Sequence, residues 1–294
     1  MITYNPKDWF KLIVHFHKSD TFRVLLPTML LLGGVTFLCC YIEKQYLTIQ
    51  VPALTIFHQI SGFIISMVLV FRINTAYDRW WEGRKLWGSL VNTSRNLAIK
   101  LNALVDKEDL YTRSNLHELI SNFPFALKEH LRNNASKKED IKFNNVLQEN
   151  NYSKVGHKPN YIARQLTNYV VDICGKTQKS PNDYLVLSDN LNQLTEISGA
   201  CERIKNTPIP YSYSIFIKKM IFIYVVTMPV SFGLTIGYWA VPIVMIMFYA
   251  FASLELISEE IEDPFGTDSN DLPTDELSVK IKENVREILL GDED

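Results

Sequence analysis

Residues 54–104 read LTIFHQISGFIISMVLVFRINTAYDRWWEGRKLWGSLVNTSRNLAIKLNAL, and how this stretch is parsed decides the fold. Its first part belongs to a run of 27 residues, Gln45–Phe71, without a single Asp, Glu, Lys or Arg. A bilayer core of ~30 Å is crossed by roughly 20 apolar residues of α-helix, so this run is long enough to span a membrane. Helical spacing does not stop at Arg72. It continues to Leu104, interrupted only by Gly83 and Gly88. The pattern predicts one helix from about Leu54 to Leu104 that outruns the bilayer.

Two further runs lie outward from this stretch. Val24–Ile42 holds 19 uncharged residues between Arg23 and Glu43, and Met220–Leu254 holds 35 between Lys219 and Glu255. As a single rod the second would be about 50 Å long, so it reads as two spans joined by a turn near Phe232-Gly233 and Gly237. Four transmembrane helices are therefore expected. Buried core helices of a soluble protein are the other reading, but such cores seldom need so long an uncharged run.

Basic residues flank these spans unevenly. Lys7, Lys11, Lys18 and Arg23 precede the first; Arg72, Arg79, Arg84 and Lys85 follow the second; Arg203, Lys205, Lys218 and Lys219 precede the third. The loop between the first two spans offers only Lys44. Positive charge in short flanks marks the cytoplasmic side. Both termini and the long middle segment are expected in the cytoplasm, in a multi-pass protein of the plasma membrane. Residues 255–294 hold fourteen acids against three bases, a net of −11, while residues 1–254 carry +9. Such a tail docks on the basic body, gathers cations, or is simply solvated.

The predicted division is an amphipathic helix at 1–22, spans one and two within 23–72, a helical cytoplasmic domain at 73–210, spans three and four within 211–257, and an acidic segment at 258–294 that docks on the cytoplasmic domain. Within the middle domain, helices are predicted near 113–132, 159–175 and 181–205. The last has Ser180 as cap, Pro181 in its first turn and Asp183 three residues after the cap. Residues 133–158 are polar and read as a loop-rich insertion. No strand pattern is present, and the fold class is all-α.

Enzyme motifs are absent. His15, His17, His58, His117, His130 and His157 show no metal-ligand spacing. Cys39, Cys40, Cys174 and Cys201 form no CxxC pair, and structural disulfides are not expected. No phosphate-binding glycine loop, GxSxG or HExxH occurs.

The second span is richer. Phe63, Met67 and Phe71 recur at i, i+4 and i+8, with Ile56, Ile60 and Asn74 near the same face. Such a stripe packs against helices or lipid, or, as a ring around an axis, gates ions by dewetting. Four spans are too few to enclose a pore, so a channel would need several subunits. Arg72, Arg79, Trp80 and Trp81, with Trp87 beyond, are residue types that favour membrane and protein interfaces, and their density suggests a subunit contact. After the fourth span come Glu255, Glu259, Glu260 and Glu262, then Asp263-Pro-Phe-Gly-Thr-Asp-Ser-Asn-Asp271. These spaced carboxylates could bind Ca²⁺, although not with EF-hand spacing, or form an acidic turn pinned by Phe265. A carrier would show an intramembrane charge or broken helices in related halves, and the uncharged runs offer none. A membrane-anchored scaffold without conduction remains the alternative to a channel.

The run Phe71-Arg-Ile-Asn-Thr-Ala-Tyr-Asp-Arg-Trp-Trp-Glu-Gly-Arg-Lys-Leu-Trp-Gly88 resembles the signature of bestrophin channels. Glu260-Ile-Glu-Asp-Pro-Phe-Gly-Thr-Asp-Ser-Asn-Asp-Leu-Pro273 resembles the segment after their last span. Cys201-Glu-Arg-Ile-Lys-Asn-Thr-Pro-Ile-Pro210 resembles the prokaryotic branch. The resemblance covers nearly the whole chain. It implies a homopentamer around a central pore in the bacterial inner membrane, with lipids and permeating ions as its other partners and no nucleic acid. It implies conduction of small monovalent ions, chloride-type anions before cations. The family's neck falls on Phe63, Met67 and Phe71, and its cytoplasmic constriction near Asn182, a polar residue where an aliphatic one is expected. A Ca²⁺ clasp of the family would use the carbonyls of Glu260 and Asp263 and the side chains of Asp268 and Asp271. Here its acidic run is diluted by Thr267, Ser269 and Asn270.

Overall fold

The computed structural model describes residues 20–46, 52–132, 141, 143, 146–177 and 182–291. The amphipathic helix expected at 1–22 lies outside the described residues except for its last three. Ser180, Pro181 and residues 133–140 of the loop-rich stretch also lie outside them.

Among the described residues every regular element is helical. The elements are α1 (Asp20–Tyr46), α2 (Pro52–Leu104), α3 (Leu110–Arg132), α4 (Val146–Lys154), α5 (Lys158–Thr177), α6 (Asp183–Asn206), α7 (Tyr211–Ile236), a 3-10 turn (Gly237–Trp239), α8 (Ala240–Glu262) and α9 (Thr274–Leu290). Three stretches are long and apolar enough to cross a membrane: Thr21–Tyr46, Ala53–Leu104 and Tyr211–Glu262.

The chain forms two compact units. One, the apolar unit, is built from α1, α2 as far as Arg79, α7, the 3-10 turn and α8. Its core is aliphatic and aromatic, with Leu32, Ile65, Leu69, Ile221, Met228, Val244 and Phe251 all buried. The third long stretch breaks at the second of the two glycines that the sequence offers. α7 runs straight through Phe232-Gly233, and the break comes at Gly237, whose φ of 60° and ψ of −138° suit only glycine. Gly233 serves packing instead, because the carboxylate of Glu43 and the thiol of Cys40 lie where a side chain would project.

The other unit is polar outside and holds α2 from Trp80 onward, α3 to α6 and α9. Its core gathers Trp87, Leu90, Leu97, Leu101, Leu116, Ile120, Leu166 and Val170 with Ile281, Val285 and Leu289 of α9. Helical spacing of apolar residues predicts α3, α5 and α6 within a few positions. α6 begins at Asp183, with Asn182 as its cap, later than the Ser180 cap predicts. Two helices go unpredicted: α4, inside the stretch read as loop-rich, and α9, inside the acidic tail.

Candidate functional site

α2 presents two faces within the apolar unit. His58, Ser61, Ile65, Leu69, Arg72 and Ala76 follow one another at three- and four-residue steps, and all are buried. Ile56, Ile60, Phe63, Met67, Phe71 and Asn74 occupy the opposite side and are exposed. Phe63, Met67 and Phe71 leave 69%, 52% and 58% of their surface open. Burial of apolar surface is worth roughly 25 cal/mol per Å², so three large apolar residues on one open stripe call for a partner other than water. The packed face explains why the stripe is held in place. His58 Nε2 lies 3.0 Å from Thr227 Oγ1, and Gly62 lets the Tyr224 hydroxyl approach closely.

At the end of this stripe stands Arg72, only 1% exposed. Its Nη2 lies 2.7 Å from Glu262 Oε2 and its Nε 3.6 Å from Glu255 Oε2. Glu262 Oε1 also accepts the backbone N–H of Ile209 at 2.7 Å. One carboxylate thus ties the end of α8 to α2 and to the chain entering α7. Arg79 Nε donates to the carbonyl of Glu262 at 3.0 Å. The arginines read from the sequence as interface residues therefore make contacts inside their own protomer. The sequence did not reveal that Glu255 and Glu262 are their partners, since the pairs are separated by some 180 residues of chain.

In the polar unit, Trp80 Nε1 donates to the carbonyl of Asn270 at 3.0 Å and stacks on Trp81, with centroids 6.4 Å apart. Trp81 remains exposed. The acidic loop after α8 closes on itself: Asp271 Oδ2 accepts from Asp268 N at 2.6 Å, and Leu272 N donates to Pro264 O at 2.9 Å. Phe265 and Leu272 are buried against Gly83, the close approach that a side chain at that position would obstruct. Arg132 supplies the charge that holds the loop. Its Nε donates to the carbonyls of Phe265 and Gly266, both at 3.1 Å, and its Nη1 meets Asp275 Oδ2 at 2.8 Å. Lys128 Nζ meets the other oxygen of Asp275, also at 2.8 Å. Burial alone would raise the Asp275 pKa, but the hydrogen bonds and charges of Lys128 and Arg132 prevail and hold it below the usual carboxylate range.

Asp268 points to solvent while Asp271 is buried. Among the described residues the carboxylates of Asp263, Asp268 and Asp271 do not converge on one point. The carbonyls that Arg132 engages are those of Phe265 and Gly266, not those of Glu260 and Asp263 that the resemblance assigns to a Ca²⁺ clasp, and no step of function is derived through that ion. Asn182 caps α6 through its backbone carbonyl, which accepts from Leu185 N at 3.0 Å. Leu185 and Val186, in the next turn, are exposed.

The model of the bacterial/fungal bestrophin protein family matches residues 1–287. A voltage-dependent anion channel-forming protein of a Nostoc species is 35% identical over 78% of this chain and 76% of its own length. One of Ralstonia nicotianae, named likewise, is 28% identical over 97% of this chain and 94% of its own. The crystal structure of a bacterial bestrophin homologue from Klebsiella pneumoniae superposes with a TM-score of 0.82 at 22% identity, covering 93% of this chain and all of that one. With a family model that spans almost every residue and the same helical fold, this chain belongs to the bacterial/fungal bestrophin family.

Proposed function

We propose that the protein is an anion channel of the plasma membrane, assembled as a homopentamer around a central pore. Each subunit contributes four membrane spans, α1, the first part of α2, α7 and α8, with both chain termini and the polar unit in the cytoplasm. The observation that carries the reading is the open stripe of α2. Phe63, Met67 and Phe71 of five subunits, turned to one axis, form an apolar neck in which water is thinned and ion passage is controlled by hydration. The names of the curated relatives support anions as the permeant species. Trp81, exposed beside the loop that Trp80 fastens, is the contact offered to a neighbouring subunit. A second constriction belongs at the start of α6, where Asn182 caps the helix and Leu185 supplies an exposed apolar side chain.

The test is direct. Purified protein in planar bilayers should give unitary currents, and its mass in detergent should correspond to five chains. Replacing Phe63, Met67 and Phe71 together by Ala should raise open probability while leaving the oligomer intact. Unchanged gating would remove these residues from the neck, and the absence of any current would favour a membrane scaffold.

A further inference from the structure

Three ligand-bearing side chains of the polar unit meet away from every feature described above. His130 lies in the last turn of α3, His157 immediately precedes α5, and Glu202 sits near the end of α6. Nε2 of His157 is 2.9 Å, and Nε2 of His130 is 3.3 Å, from the same oxygen, Glu202 Oε1. The imidazole rings lie with centroids 4.4 Å apart and their planes tilted by 33°. Ser198 Oγ donates to the same carboxylate oxygen at 3.1 Å and steadies it. The three side chains are 29%, 35% and 25% exposed, so the cluster is sheltered yet reachable from water.

We propose that His130, His157 and Glu202 form a three-ligand site for a divalent transition-metal ion, Zn²⁺ first among them. Two imidazoles and one carboxylate are a donor set that such ions prefer, whereas Ca²⁺ and Mg²⁺ prefer oxygen alone. In a tetrahedral site with bonds of about 2.0 Å the ligand atoms stand about 3.3 Å apart. The two nitrogen–oxygen separations, 2.9 and 3.3 Å, already sit near that edge length. A fourth position is left for water. Simple histidine–carboxylate hydrogen bonds would be better served by one imidazole on each carboxylate oxygen. Here both make their closest approach to one oxygen, as ligands around an ion do.

Binding has a definite cost. His157 Nδ1 accepts from the Asn160 backbone N–H at 3.2 Å, which places the imidazole proton on Nε2. Coordination through Nε2 moves that proton to Nδ1, and the exposed Asn160 amide then turns to water. Lys205, one turn beyond Glu202, adds a modest like-charge penalty. Against these stands a structural gain. His130 and His157 bracket residues 131–156, so an ion between them fastens the end of α3 to the start of α5 and both to α6. Constraining the ends of a connecting segment removes chain entropy from the unfolded state.

The test uses the full chain, without a polyhistidine tag, purified in detergent and stripped with chelator. Titration with Zn²⁺ should show one equivalent bound per chain at micromolar concentration, with a higher unfolding temperature. Co²⁺ should give the strong visible bands of four-coordinate nitrogen–oxygen ligation, a readout that needs no variant. His157→Ala and Glu202→Gln should each weaken Zn²⁺ binding on the order of tenfold or more, while His117→Ala leaves it unchanged. No uptake of either metal by the unmutated chain, or equal uptake after His130 and His157 are both replaced, would overturn the proposal. A Co²⁺ spectrum typical of six oxygen ligands would do so too.

Discussion

Arg72 shows how one residue can fix the end of a helix bundle. It is buried, it faces Glu262 at 2.7 Å and Glu255 at 3.6 Å, and both carboxylates belong to α8. Removing one partner of a buried ion pair leaves the others uncompensated, which costs about 3–5 kcal/mol. Arg72→Ala should therefore lower the unfolding temperature in detergent sharply. Arg72→Lys should recover part of the loss, because it restores charge but not the planar fork. His117 gives a milder signal with a sign. Burial, then the charges of Lys282 and Arg286, hold its imidazole below the ordinary range, opposed by a hydrogen bond to the Lys282 backbone. A depressed folded-state value means that the unfolded chain binds the proton more readily. The stabilisation is complete above the unfolded value of ~6.5 and is lost as pH falls through the folded one. In metal-free buffer the unfolding temperature should fall below about pH 6.5, and His117→Gln should flatten that part of the curve.

At the scale of the element, α9 is held by its apolar face as the spans are. Ile281, Val285 and Leu289 lie one above another at four-residue steps and are buried. Arg113 Nη1 donates to the carbonyl of Leu289 at 2.8 Å, a cation placed where the helix C-terminus is negative. Ile281→Ala should destabilise the polar unit by about 2–4 kcal/mol, visible as faster limited proteolysis of the segment after α8. The four-residue spacing was present in the sequence. It was masked by the fourteen acids of residues 255–294, which make the segment read by its charge rather than by its helical phase. The long α2 was legible because an uncharged run and an amphipathic run share one helical phase. The turn before α8 was legible only to within one helical turn, because two glycines, Gly233 and Gly237, stand four residues apart. Sequence alone does not tell a glycine needed for a positive φ from one needed for close packing. The cluster of His130, His157 and Glu202 was illegible for a different reason: its members come from three elements, and no spacing along the chain encodes their meeting.

At the scale of the whole molecule, family and fold fix the architecture but leave open how ions are chosen. In the proposed pentamer, a neck of two phenylalanines and a methionine would carry no charge, so its barrier would be the cost of shedding hydration, which is high for either sign. On that reading, selectivity for anions would come from fields acting at the neck rather than from the neck's own chemistry. That reasoning makes a charge introduced there informative. Met67 is the middle member of the stripe, and its long unbranched side chain tolerates replacement by another of similar length. A ring of five carboxylates from Met67→Glu would attract cations and repel anions, while five ammonium groups from Met67→Lys would do the reverse. Under a salt gradient the reversal potential should shift toward the cation equilibrium value in the first variant and toward the anion value in the second. Both should also conduct more readily at rest, because a charged ring stays wet. If the two variants gave the same reversal potential as the unmodified channel, Met67 would face lipid, and the stripe on α2 would be a membrane-facing surface rather than the wall of a pore.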